Sequence, residues 1–144
     1  MRYITFALAK GRLAKKAMEM LELAGITCEE MKDETSRKLI FVNEELKLKF
    51  FLAKASDVPT YVEYGAADIG VVGKDTILEE GRNLYEVMDL GIGKCRMCVA
   101  GPKDFRDSGE KKLKVATKFT NTARQYYAQS GRDIDIIKLN GSIE

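Results

Sequence analysis

A chain of 144 residues with 45% hydrophobic and 32% charged residues has the composition of one folded domain, or of two small lobes, and not of a disordered protein. Its 24 basic and 22 acidic residues leave a net charge of +2, which is too balanced for a dedicated nucleic-acid surface. The sequence contains no histidine, so histidine general bases and histidine metal ligands are excluded.

The first 90 residues alternate strands with helices. The pattern first predicts a strand, which a basic glycine turn joins to an amphipathic helix. A hairpin follows, and then a helix with Pro59 in its first turn and Ser56 or Asp57 as its cap. The predicted elements are a strand over 2–8, a helix over 13–24, hairpin strands over 38–42 and 46–52, and a helix ending near Gly65.

The most informative stretch runs from Gly65 to Asp75. Ile69, Val71 and Val72 predict a buried strand, which Gly73-Lys74-Asp75 joins to a short helix ending at Gly81. In α/β sheets, ligands bind at such junctions beyond the carboxyl ends of strands. An ordinary helix start, with Asp75 favouring the helix dipole, explains the same residues equally well.

Two glycines in Leu90-Gly91-Ile92-Gly93 predict a hinge between a first lobe, 1–90, and a second lobe, 91–144. The alternation of strands and helices predicts an α/β fold. The remaining predicted elements are strands over 84–89, 94–101, 113–116 and 134–139, a helix capped by Asn121 or Thr122 and ended by Gly131, and a new helix starting at Ser142.

Lys10-Gly11-Arg12 is the best candidate for an anion site in the first lobe. Gly11 permits close approach, two cations flank it, and the following helix offers free N–H groups. A solvated turn before a basic helix is the competing interpretation. Arg37 before one strand and Lys54 after another would lie beside the same cleft, unless they are ordinary surface residues.

Cys95 and Cys98 have the spacing of a redox or metal motif. On a strand, however, residues three apart point to opposite faces, and the chain offers neither a second cysteine pair nor a histidine. We therefore predict inert cysteines that pack like small apolar residues, and no protein-held metal. The odd number of cysteines and the lack of a signal peptide or membrane-length apolar run predict a cytoplasmic protein without membrane contact.

Three segments together resemble the ATP phosphoribosyltransferase family: Leu8–Leu13, Ser56–Asp75 and Lys138–Glu144. The resemblance implies a two-lobed fold of the type II periplasmic-binding-protein kind, with the second lobe incomplete in this chain. It also implies transfer of phosphoribose from phosphoribosyl pyrophosphate to N1 of ATP, with Mg²⁺ as cofactor, in the first step of histidine biosynthesis. By matching motif positions, the resemblance assigns no catalytic group but implies these substrate-binding residues: Lys10, Gly11, Arg12, Arg37, Lys54, Gly73, Lys74, Asp75 and Arg96.

The family continues beyond the position of Glu144 into a loop that cradles the 5′-phosphate and ribose of phosphoribosyl pyrophosphate. No such loop occurs in this sequence, so we expect the 144-residue chain to be inactive alone. The chain resembles the short form of the family, which implies a regulatory subunit similar to histidyl-tRNA synthetase in a hetero-octamer. A small-molecule binding module of the same fold, without catalysis, is the alternative interpretation.

Overall fold

The computed structural model describes residues 2–33 and 36–141. It divides the chain into two compact units, Met1–Lys94 and Cys95–Glu144, whereas the sequence places the boundary after Leu90. Both units mix helices with strands, as the sequence predicts. None of the helices in the described part of the chain is long and apolar enough to cross a membrane.

The first unit is built on a four-stranded sheet with the order β2-β3-β1-β4. β1, β3 and β4 are parallel, and β2 forms the predicted hairpin with β3. The elements are β1 (Ile4–Ala9), α1 (Arg12–Leu23), β2 (Ile40–Asn43), β3 (Leu48–Ala53), α2 (Val58–Glu63), β4 (Ile69–Val71) and α3 (Lys74–Glu80), with 3₁₀ turns at Glu29–Lys32 and Ala55–Asp57.

The two middle strands of the sheet, β1 and β3, are largely buried on both faces. The edge strand β4 is not buried, although the sequence predicts that it is, since Ile69 is 42% exposed. Because side chains alternate along a strand, Leu8 of β1 joins one core cluster while Ala7 and Ala9 join the other. Phe50 of β3 and Ala14 of α1 also belong to the first cluster, and Val58 of α2 belongs to the second. Burial on both faces is typical of parallel strands, and it explains why β1 and β3 are apolar throughout much of their length.

Gly70, in the middle of β4, allows α2 to pack closely against the sheet. A β-carbon at this position would lie 2.9 Å from Val58 Cγ1 and 2.9 Å from Val62 Cγ2, and both valines are stiff at χ1. We therefore expect Gly70→Ala to lower the free energy of unfolding by about 1–3 kcal/mol in urea titrations.

Gly101→Ala is the matched control for Gly70→Ala, since no atom lies within 4 Å of the added carbon. Equal urea midpoints for the two variants would contradict the close packing of α2 on β4.

Within its described residues, the second unit contains a parallel pair of strands and one helix. β5 (Leu113–Thr117) pairs with β6 (Ile134–Lys138), and α4 (Thr120–Gln129) connects them. Arg132 binds the loop that precedes β5. Its guanidinium donates hydrogen bonds to the Asp107 carboxylate at 2.7 and 2.6 Å and to the Lys111 carbonyl at 2.6 Å. This guanidinium lowers the pKa of the Asp107 carboxyl.

Two predicted strands, over 84–89 and 94–101, are wrong. Neither stretch has regular secondary structure, and Tyr85 is 98% exposed. A strand needs a neighbour for its backbone hydrogen bonds, and none of the described strands pairs with these residues.

The predicted helix caps are only partly correct. Asp57 takes the N-cap position of α2 without a side-chain capping bond. Phe119 takes that position in α4, so Asn121 and Thr122 lie inside the helix and were wrongly predicted as caps. The helix predicted to start at Ser142 lies outside the described residues.

Candidate functional site

Three parallel strands of the first unit end side by side. Ala9 of β1 pairs with Ala53 of β3, and Leu8 pairs with Val71 of β4. The predicted Lys10-Gly11-Arg12 and Lys54 follow directly after two of these ends, and Gly73-Lys74-Asp75 follows the third after Val72. The Lys10 amide donates to the Ala53 carbonyl at 2.9 Å. We call this row of strand ends, with the residues that follow it, the carboxyl edge. The topology therefore brings together three segments that are far apart in the sequence.

The segment that contains Arg37 approaches the sheet of the first unit from the side of the carboxyl edge. β2 is antiparallel to β3, with Ile40 opposite Phe51, and the Leu52 amide donates to the Leu39 carbonyl at 2.9 Å. The chain before β2 thus leads in from the carboxyl edge, and Arg37 lies three residues before the first residue of β2.

The N-terminus of α1 opens onto the carboxyl edge. Gly11 has φ 109° and ψ −148°, a conformation that glycine adopts without steric cost, and α1 begins at the next residue. The first turn contains no acidic residue, and its leading N–H groups have no acceptor within the helix itself. Such N–H groups and the positive end of the helix dipole favour an anion.

The carboxyl edge also carries uncompensated positive charge. Four of its predicted cations are exposed and form no ion pair within residues 2–33 and 36–141: Lys10, Arg12, Arg37 and Lys54. Several other cations of the first unit do have carboxylate partners, as in Arg2–Asp68, Lys32–Glu22 and Arg82–Glu63. An anionic ligand would therefore meet cations that no acidic side chain among the described residues already neutralises.

The Gly73-Lys74-Asp75 junction is ordered by its own contacts. Asp75 Oδ1 accepts a hydrogen bond from the Thr76 amide at 2.8 Å, and a β-carbon on Gly73 would lie 2.3 Å from the same oxygen. Lys74 forms an ion pair with Glu86. Sequence reasoning missed Glu86, because it falls in a wrongly predicted strand and belongs to no motif.

Arg96 and the exposed cysteines belong to the second unit. Arg96 lies exposed in a stretch without regular secondary structure, and its role in substrate binding stays a prediction. Cys95 and Cys98 are also exposed and do not lie on a strand, so their predicted burial was wrong; Cys28 is the buried cysteine. Among the described residues, no three Cys, Asp or Glu side chains gather in a way that could hold a metal ion.

The comparisons with known proteins converge on one family. The family model HisG, described as ATP phosphoribosyltransferase, matches residues 54–144. The ATP phosphoribosyltransferase of Lachnoclostridium phytofermentans is 71% identical over 148 residues, which cover all of this chain and 68% of that protein. The protein of the same name from Ruminiclostridium cellulolyticum is 58% identical, with the same coverage of both chains.

A solved structure agrees with these sequence relatives. It is the ATP phosphoribosyl transferase (HisG:HisZ) complex from Thermotoga maritima, which is similar with a TM-score of 0.72 and 29% identity over 97% of this chain and 66% of that one. The chain thus spans about two thirds of the length of the proteins it matches. It belongs to the ATP phosphoribosyltransferase family, the transferases of the first step of histidine biosynthesis.

Proposed function

We propose that the first unit binds the phosphate groups of the substrates, ATP and phosphoribosyl pyrophosphate, at its carboxyl edge. The observation that carries this proposal is the convergence of Lys10, Arg12 and Lys54, all without acidic partners among the described residues, beside the open N-terminus of α1. A lysine ammonium neutralises a phosphate as a point charge, while an arginine guanidinium contacts two phosphate oxygens at once.

The proposed reaction needs charge stabilisation and alignment more than proton transfer. N1 of adenine forms a bond to the anomeric carbon as the bond from that carbon to the pyrophosphate oxygen breaks, and the electron pair leaves with pyrophosphate. Cations positioned around the leaving group stabilise the charge that develops on it. Holding the nucleophile and the anomeric carbon in line lowers the barrier further, and neither task requires a histidine.

We propose Mg²⁺ as the cofactor, carried by substrate phosphates. Mg²⁺ in phosphate-transfer sites is usually held by one or two carboxylates together with substrate phosphates and water, so an edge with few acidic residues suits its delivery as a substrate complex. When bound, Mg²⁺ would withdraw charge from the departing pyrophosphate. The chain's own Lys10, Arg12 and α1 N–H groups would hold the remaining phosphate oxygens.

We further propose a two-lobed fold of the type II periplasmic-binding-protein kind and a location in the cytoplasm. We propose as the partner of this chain a regulatory subunit similar to histidyl-tRNA synthetase, in a hetero-octamer. The Thermotoga maritima neighbour, a HisG:HisZ complex, supports such a partner. The remaining predicted site residues, Arg37, Gly73, Lys74, Asp75 and Arg96, are proposed to contact the same substrates.

Calorimetric titration tests this proposal, with ATP, inorganic pyrophosphate and adenosine as ligands in the presence of Mg²⁺. We expect ATP and pyrophosphate to bind, their affinity to fall with added salt, and adenosine to bind much more weakly. Adenosine and ATP binding with the same affinity would contradict a phosphate site. A product assay with both substrates, with and without the regulatory subunit, then separates substrate binding from turnover.

A further inference from the structure

Within the part of the chain that the structure describes, Lys74 is the cation of the carboxyl edge that has a carboxylate partner. Its Nζ donates to Glu86 Oε2, and the two side chains are 58% and 42% exposed. Glu86 comes from the irregular stretch after α3, so the two residues belong to different elements. The pairing is therefore tertiary, and it differs from the i,i+3 pairs Lys32–Glu29 and Lys47–Glu44.

The stretch that carries Glu86 is anchored, although it has no regular secondary structure. Glu63 accepts hydrogen bonds from the Arg82 guanidinium at 2.9 Å and from the Asn83 amide at 3.2 Å. Leu84 and Glu86 then line a small cavity of about 70 Å³ together with residues of α2, β4 and α3, while the Tyr85 side chain stays exposed. The bonds of Arg82 and Asn83 hold the chain four and three residues before Glu86, which places its carboxylate beside Lys74.

We propose that Glu86 is a positioning residue for phosphate binding, which acts through Lys74; this inference rests on the proposed function. A lysine side chain loses conformational freedom when a ligand fixes it, and a partner that fixes it beforehand removes part of that cost. An ammonium has three N–H donors, so the bond to Glu86 leaves two for phosphate oxygens. Glu86 itself touches no substrate in this arrangement.

The test is a double-mutant cycle on the affinity for inorganic pyrophosphate, measured by calorimetry on the full chain. We expect Glu86→Gln to weaken binding about 2- to 10-fold, because the amide keeps an oxygen acceptor but loses the charge that strengthens the hydrogen bond. In a Lys74→Ala background the same change should not weaken binding, because the unpaired Glu86 carboxylate would only repel pyrophosphate. The thermal midpoint should stay near the parental value, since exposed ion pairs contribute little to stability.

Glu44→Gln is the matched control, because it removes a carboxylate partner of Lys47 at the opposite end of the sheet. Unchanged or tighter pyrophosphate binding by Glu86→Gln would overturn the positioning role, as would an equal loss in the Lys74→Ala background. Lys10→Ala separates this failure from failure of the phosphate site. If Lys10→Ala weakens binding and Glu86→Gln does not, only the positioning role fails; if neither does, the proposed function fails as well.

Discussion

Replacing Lys10 or Arg12 with alanine should weaken the binding of pyrophosphate and ATP by about 1.5–3 kcal/mol each, the usual contribution of a hydrogen bond to a charged group. Both side chains are exposed and form no ion pair within the described ranges 2–33 and 36–141, so their removal leaves no buried group unsatisfied. Stability should therefore change little. Calorimetric titration with pyrophosphate measures the loss, and circular dichroism confirms that each variant is folded.

Lys16→Ala is the control for Lys10→Ala and Arg12→Ala. Lys16 is exposed on the same helix, α1, but lies one turn beyond its first residue, so its removal tests for a general effect of positive charge. Equal losses for all three variants would indicate unspecific attraction. Parental affinity in both Lys10→Ala and Arg12→Ala would mean that the turn is only a solvated corner.

Phe50→Ala should lower the free energy of unfolding of the first unit by about 3–5 kcal/mol. The ring of Phe50 is fully buried in β3 and stacks on Phe6 of β1, with 5.2 Å between ring centroids. Its removal leaves a cavity on the face of the sheet that packs against Ala14 of α1, and a well-packed core has little freedom to fill it. Urea denaturation followed by circular dichroism measures the change.

Phe105→Ala serves as the comparison for Phe50→Ala, because the Phe105 ring is half exposed and lies in the second unit. We expect this variant to lose much less stability than Phe50→Ala. Similar losses in the two variants would contradict the assignment of Phe50 to the central core.

The sequence predicts much of the first unit because its local patterns agree with its tertiary contacts. Apolar runs with β-branched or aromatic residues gave β1, β3 and β4, and the left-handed Gly81 ends α3 as predicted. The parallel arrangement of these three strands follows from the alternation of strands and helices. It brings Lys10, Lys54 and Lys74 to the carboxyl edge of the sheet. This is why the proximity of these distant segments was predictable in outline, while their role in a site stays a prediction.

The stretches over 84–89 and 94–101 were not predictable in the same way. Their apolar residues resemble those of a strand, but regular secondary structure there depends on a partner strand, which is a tertiary property. The position of Glu86 follows from that tertiary arrangement too, through the hydrogen bonds of Arg82 and Asn83 to Glu63. A contact of this kind has no signal in residue spacing.

Titration of backbone amide resonances with inorganic pyrophosphate tests the phosphate site most directly, since it reports each residue of the 144-residue chain separately. The proposed site predicts the largest shifts at the start of α1, from Gly11 to Ala14, with further shifts at Lys54 and Lys74. The turn over 44–47, at the opposite end of the sheet, should not respond. Shifts that spare α1 and the carboxyl edge, or that concentrate at that turn or in the second unit, would contradict the account.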